Sequence, residues 1–176
     1  WVWSFDQIRF LVDAFVKIGF AALFSGFIGY EREHSHRPAG FRTHILVSVG
    51  SALVMMTSGY VFNEYADLGT FDPARLGAQV ISGIGFLGAG MIVYKQHEVK
   101  GLTTAAGIWA TAGIGMACGS RLYVVAILAT LLMIGIQCLF HSPYRIFKAK
   151  KFYSVKIEFL RTGDENIKIK EIFGTD

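Results

Sequence analysis

The stretch Ser82 to Met91 reads SGIGFLGAGM and contains Gly83-x-Gly85-x-x-Gly88, a spacing with which glycines admit the pyrophosphate of a dinucleotide. That chemistry requires a strand before the glycines, a helix after them and an acidic residue about 20 positions further on to take a ribose hydroxyl. Here the corresponding region reads Leu102-Thr103-Thr104, and Glu98 is the only nearby acid. No side chain from Leu76 to Tyr94 is charged, a run that suits the roughly 20 residues a helix needs to cross about 30 Å of hydrocarbon. The glycines are therefore read as a packing surface between membrane helices. On a helix, Val80, Ile84, Leu87 and Met91 gather on one side. Gly77, Ala78, Ser82, Gly85, Gly88 and Ala89 lie mostly on the other, where small side chains let a neighbouring backbone approach.

A second block carries charge. Gly29-Tyr30-Glu31-Arg32-Glu33 precedes Arg37-Pro38-Ala39-Gly40-Phe41-Arg42-Thr43-His44. Alternating charges at a membrane edge can form an ion-pair network and grip lipid phosphates or a partner's carboxylates. Setting topology is the plainer role, but it gives no reason for glutamates between the arginines. Glu31, Arg32, Glu33, Arg37, Arg42 and Thr43 are the candidate partner-binding edge. His34, His36 and His44 match no zinc spacing and read as solvated loop histidines.

The acidic candidates are Asp13, Glu64, Asp67 and Asp72. Asp72-Pro73 suits a helix start; the functional alternative is a carboxylate meeting a cation through water, as magnesium prefers, with Glu64 and Asp67 close in sequence. Asp13 and Lys17 stand one helical turn apart inside an apolar segment and can pair, which lowers the cost of both charges. Anchoring near the headgroups is preferred for them over an ion path. Gln79, Thr103 and Thr104 are polar groups suited to hydrogen bonds between spans.

Composition supplies the frame for these groups. The chain of 176 residues is 53% hydrophobic and 17% charged, outside the usual range for a soluble domain. The net charge of +4 comes from basic residues beside apolar segments, not from a basic patch with interleaved aromatics, so nucleic acid is not an expected partner. Cys118 and Cys138 stand alone in apolar runs and read as packing. No nucleophile, base and orienting group converge, and neither a P-loop nor a cysteine cluster is present, so neither catalysis nor a cofactor is expected.

Five apolar segments, about 10–30, 43–63, 76–94, 101–120 and 122–140, approach spanning length. Arg32, Arg37 and Arg42 follow the first, Lys95 and Lys100 the third, and Arg145, Lys148, Lys150 and Lys151 the fifth. The connection after the second instead holds Glu64, Asp67 and Asp72. The positive-inside rule then places the N-terminus outside, with Trp1, Trp3 and Phe5 at the outer interface, and the C-terminus in the cytoplasm. Beyond Lys151, Phe152–Phe159 alternates as a strand does, and Glu165–Phe173 has helical spacing after a Thr162-Gly163-Asp164 turn. The expected fold is an all-α integral membrane domain over 1–145, followed in 146–176 by a linker and the beginning of a small cytoplasmic α/β domain. Both ends read as cut from a longer chain, and the small-residue faces suit a homodimer.

GFIGYERE, RPAGFRTHILVSVGSAL, DPARLGAQVISGIGFLGAGMIV and VKGLTTAAGIWATAGIGMACG, in this order, resemble the signature blocks of the MgtC/SapB family of bacterial inner-membrane proteins, over roughly Leu11 to Phe140. The resemblance implies a regulatory protein linked to magnesium limitation, in some bacteria a virulence factor for survival inside macrophages. It also implies the membrane ATP synthase as a partner and an ACT-like cytoplasmic domain after the spans. Its charged block corresponds to Glu31, Arg32, Glu33, Arg42 and Thr43, its DPAR block to Asp72 and Arg75, and its GLTTAA block to Thr103 and Thr104. A small magnesium permease or channel is the alternative function.

Overall fold

The computed structural model describes residues 5–65, 67, 69, 72–95 and 98–141. The chain divides into two units, Trp1–Pro143 and Tyr144–Asp176, and the described residues belong to the first. The expected linker and α/β domain at 146–176 lie outside the described residues, as do Trp1 and Trp3.

Five helices and one short hairpin follow each other: α1 (Phe5–His34), α2 (Phe41–Glu64), α3 (Ala74–Gly90), β1 (Val93–Lys95), β2 (Glu98–Lys100), α4 (Leu102–Gly119) and α5 (Tyr123–His141). Three of them, α1, α2 and α4, are long and apolar enough to cross a membrane, and α5 is a further apolar helix. Large side chains cover their outer faces: on α5, Val124 is 71% exposed and Leu132 66%. Leucines turned outward on an apolar bundle suit a hydrocarbon surrounding, where burial of apolar surface no longer drives helices together.

Small residues hold the helices together instead. On α4, Gly107, Thr111, Gly115 and Gly119 recur every fourth residue and are buried. On α2, His44, Ser48 and Ala52 do the same. A Cβ at Gly115 would overlap the Ser48 carbonyl, and one at Gly119 would lie 2.5 Å from the Ala52 oxygen. Only hydrogen at those two positions permits so close an approach. The α1 stripe of Ala21, Phe24, Ser25, Ile28, Gly29 and Arg32, spaced by threes and fours, closes over α2. Ser48 Oγ donates to the Ala21 carbonyl at 3.0 Å, tying the two helices at the centre. Around this seam lies the apolar core of Ala21, Phe24, Ile28, Ala52, Ile114, Cys118 and Ala126.

The chain turns back after α1 and after α4 through left-handed residues that are not glycine, His36 and Ala39 in the first turn and Arg121 in the second. After α1, the Arg37 N–H reaches the Arg32 carbonyl and the His36 N–H the Glu33 carbonyl, with His36 at φ 52°. After α4, Leu122 and Arg121 bond in the same way to Ala117 and Cys118, with Arg121 at φ 64°. These are paired bonds that satisfy the orphan carbonyls of a helix end.

Two expectations need correction. The third segment does not run as helix to Tyr94: α3 stops at Gly90, and Val93 to Lys95 pairs antiparallel with Glu98 to Lys100. Gly88 and Gly90 weaken the helix end, while Ile92, Val93 and Tyr94 favour extended backbone. Gly101, at φ 95°, closes the hairpin under the Met91 carbonyl, where a Cβ would collide. The domain is therefore not wholly helical. Second, α3 turns a different face inward. Gly77 and Gly88 are buried, against Met55 and Ala105, with Val80 and Ile84 half-buried between them. Ser82, Gly85 and Ala89 are exposed, and a hollow of about 430 Å³ between α3 and α2 is walled on the α3 side by Val80, Gly83, Ile84 and Leu87.

Gly115→Ala is expected to cost about 1–3 kcal/mol through overpacking. Gly113→Ala, on the same helix with open space at its Cβ position, is expected to be neutral or stabilising. Thermal unfolding of the purified variants in one detergent checks the contrast.

Candidate functional site

The helices carry polar groups at both ends of the seam, and the two ends differ. At the first, α1 ends, α2 and α4 begin, and Arg32 turns into the bundle. Arg32 is 4% exposed, and its Nη2 donates to Thr104 Oγ1 at 2.9 Å. This bond links the last turn of α1 to the first turn of α4. Gly29 makes room for the return of the chain: a Cβ there would sit 2.7 Å from Phe41 Cα and 3.1 Å from His44 Cβ.

The neighbouring acids have separate tasks. Glu33 Oε2 accepts the Phe41 N–H at 2.9 Å and so holds the first turn of α2. Glu31 Oε1 accepts the Ser35 hydroxyl at 2.8 Å. His44 is completely buried, its Nδ1 3.0 Å from the Gly40 carbonyl. Gly107 faces it: a Cβ added there would lie 3.9 Å from His44 Nε2 and 4.0 Å from Gln137 Nε2. Four buried atoms, Glu31 Oε2, Arg32 Nε, His44 Nε2 and Gln137 Oε1, have no hydrogen-bond partner among the described residues. A cavity of about 450 Å³ opens beside them, walled by Glu31, Arg32, Arg37, Thr103 and Gln137 among others.

The expected charged edge is thus divided. Arg32 is buried, Glu31 is half-buried, and Glu33 is engaged as a helix cap, while Arg37, Arg42 and Thr43 are exposed. Thr104 is buried against Arg32, and Thr103 is exposed on the cavity wall. His34, His36 and His44 do not come together, and no three His, Cys, Asp or Glu side chains among the described residues are placed to hold a metal.

At the opposite end, Asp13 is held by two cations. Its Oδ2 lies 2.7 Å from Lys17 Nζ and its Oδ1 2.9 Å from Arg121 Nη2. The hydrogen bond that Arg121 donates to the Asp13 carboxylate raises the guanidinium above its ordinary pKa. Arg121 is the left-handed residue that ends α4, so the ion pair ties the α4–α5 turn to α1. A cavity of about 580 Å³ lies beside this group and is walled also by Tyr60 and Glu64. Asp72 stands apart: its Oδ1 accepts the Ala74 N–H at 2.9 Å, which fixes the start of α3, and it borders a different hollow with Arg75. Glu64 and Asp67 are exposed. The four acids therefore do not form one cation site, because Asp13 spends both oxygens on basic side chains and Asp72 spends one on a helix end.

Two members of these sites were not singled out from the sequence. Gln137 is a lone amide in the apolar run of α5, and a polar residue inside a span is itself a signal. Arg121 reads in sequence only as a loop charge; its pairing across the bundle needs the fold.

Thr104→Val removes the acceptor of a buried guanidinium and is expected to cost about 1.5–3 kcal/mol. Thr104→Ser retains it and should stay near the parent; unfolding midpoints of the two variants decide.

With this geometry in place, comparison with known proteins gives a consistent relationship. The MgtC family profile matches residues 18–145. The chain is 42% identical over 129 residues to the putative magnesium transporter YhiD of Escherichia coli (strain K12), covering 72% of this chain and 60% of that protein. It is 44% identical over 119 residues to protein MgtC of Brucella abortus (strain 2308), 68% of this chain and 48% of that one. It is also 44% identical over 126 residues to protein SapB of Bacillus subtilis (strain 168), 69% and 53% of the two chains. The match thus spans about half to three fifths of these relatives. No solved structure matches the chain significantly. A profile that covers the helical bundle, and relatives at this identity, place the chain, a multi-pass membrane protein, in the MgtC family.

Proposed function

We propose that this chain is a non-enzymatic regulatory protein of the bacterial inner membrane that serves magnesium homeostasis and acts by binding a membrane partner, of which the ATP synthase is the leading example. All five helices cross the bilayer in this reading, with the N-terminus outside and the C-terminus in the cytoplasm, and two copies associate. The orientation rests on Arg37, Arg42 and Lys100 at one end of the helices and Glu64, Asp67 and Asp72 at the other.

One observation carries the choice of regulation over transport. The polar groups at the Arg32 end and those at the Asp13 end are separated by about 28 Å of helix, 19 residues at 1.5 Å each, and the interval is filled with Ala21, Phe24, Ile28, Ala52, Ile114 and Cys118. The buried hydroxyls in that interval are engaged. Ser25 and Thr111 donate to carbonyls of their own helices, and Ser48 to Ala21. A path for a hydrated cation needs recurring polar groups facing water, and the closely packed seam provides none. The exposed Arg37, Arg42 and Thr43 remain as the surface a protein partner would meet.

Permeation is the second reading, favoured by the hollow beside Asp13 and by the transporter description that the Escherichia coli relative carries. Two measurements on the full-length protein separate the readings. Proteoliposomes are expected to show no magnesium uptake above protein-free vesicles, and Arg37→Glu with Arg42→Glu is expected to abolish rescue of a deletion strain at limiting magnesium while insertion stays normal. Saturable uptake that falls with Asp13→Asn would establish permeation instead.

A further inference from the structure

The unpartnered atoms at the Arg32 end describe a ligand by their types. Arg32 Nε is a donor on a side chain 4% exposed, and Glu31 Oε2 and Gln137 Oε1 are acceptors. All three residues wall the same cavity of about 450 Å³, far larger than the about 30 Å³ one water occupies in the liquid. Arg37 adds a second guanidinium to the wall. Thr103 belongs to the first turn of α4, whose leading N–H groups have no intrahelical partner and no side-chain cap. The first intrahelical bond there is from the Ala105 N–H to the Gly101 carbonyl at 2.8 Å.

A simple anion would satisfy the guanidiniums and the helix N-terminus but leave the Glu31 and Gln137 oxygens stranded beside it. A simple cation would satisfy those oxygens and face two arginines. A molecule with both signs meets the three unpartnered groups whose residues wall the cavity; the fourth, His44 Nε2, belongs to a residue off that wall. Such a molecule carries a phosphate for Arg32, Arg37 and the α4 N-terminus, and a short arm ending in N–H donors for Glu31 and Gln137. The wall also includes Ile136, 47% exposed on α5, in line with the exposed Leu132 and Leu139. An acyl chain could leave the cavity along that apolar strip.

We propose that this cavity binds the headgroup of an ethanolamine phospholipid, phosphate toward Arg32 and Arg37 and ammonium toward Glu31 Oε2 and Gln137 Oε1. The site shares Arg37 with the partner surface of the regulatory reading, but its ligand comes from the bilayer, and Glu31 and Gln137, on which its test turns, lie outside that exposed surface.

The test is lipid titration of the full-length protein in detergent, followed by native mass spectrometry, with phosphatidylethanolamine, phosphatidylcholine and phosphatidylglycerol of matched acyl chains. Phosphatidylethanolamine is expected to bind about tenfold more tightly than phosphatidylcholine, whose methylated nitrogen offers no N–H, and than phosphatidylglycerol, which has no cation. Glu31→Gln is expected to close most of the gap to phosphatidylglycerol, leaving the affinity for that lipid unchanged. Gln137→Leu carries the same expectation if Glu31→Gln does not fold. Equal affinity for ethanolamine and choline lipids overturns the proposal, as does equal affinity for the glycerol lipid, which would make this an anion site only. Free glycerophosphoethanolamine distinguishes the sources: its failure to compete supports the lipid, and competition at equal affinity overturns the acyl-chain assignment.

Discussion

The approach of α4 to α2 is the contact on which the other features of the bundle depend. It exists because Gly115 and Gly119 carry no Cβ where the Ser48 and Ala52 carbonyls pass. In a bilayer, lipid is as apolar as a leucine side chain, so the helices associate through close van der Waals fit and a few polar bonds. Both are present along one line. The glycines bring the backbones together, and α1 then closes over the pair, with Ser48 donating to Ala21 and Arg32 reaching Thr104. Larger side chains at the seam would separate α4 from α1 as well, and the Arg32–Thr104 bond at 2.9 Å tolerates little displacement.

This arrangement explains how a bundle with many outward-facing leucines and phenylalanines keeps charged groups inside its ends. Each end uses one charge from α1 to fasten a distant turn. Arg32 fastens the start of α4, and Asp13 fastens the turn between α4 and α5. Both contacts are long-range in sequence and both involve the first residues of a helix or the residue that ends one. The same two locations have cavities beside them. Charged and unpartnered polar groups therefore concentrate at the ends, and the seam between them is apolar apart from hydroxyls that are engaged.

The sequence made the helices and their approximate bounds legible, since uncharged runs of spanning length separated by charged connections leave little choice. It also showed the pairing of Asp13 with Lys17, which is local, one turn apart. It did not show the third partner, Arg121, because that contact depends on the α4–α5 turn being carried back to α1. The division of the Glu31–Thr43 block was hidden for the same reason. Nothing in ERE distinguishes the arginine that enters the bundle from the glutamate that caps α2. Which side of α3 turns inward within one chain was not legible, because small residues are more numerous on the side of Ser82, Gly85 and Ala89, whereas Gly77, Val80, Ile84 and Gly88 are the residues of α3 that are buried or half-buried. The β hairpin escaped because Met91 to Tyr94 is as apolar as the helix before it, and only the left-handed Gly101 reveals the return of the chain.

The separation of two polar ends by a closed seam can be examined directly by hydrogen exchange of the full-length protein in lipid nanodiscs, read by mass spectrometry over α2 and α4. Slow exchange from Ser48 to Ala52 and from Thr111 to Cys118, with faster exchange at Arg37 to Arg42 and around Arg121, is the result expected of a bundle that binds at its ends and does not conduct. Exchange through the seam as fast as at the ends would mean that water reaches the centre, and would contradict the separation on which the regulatory reading stands.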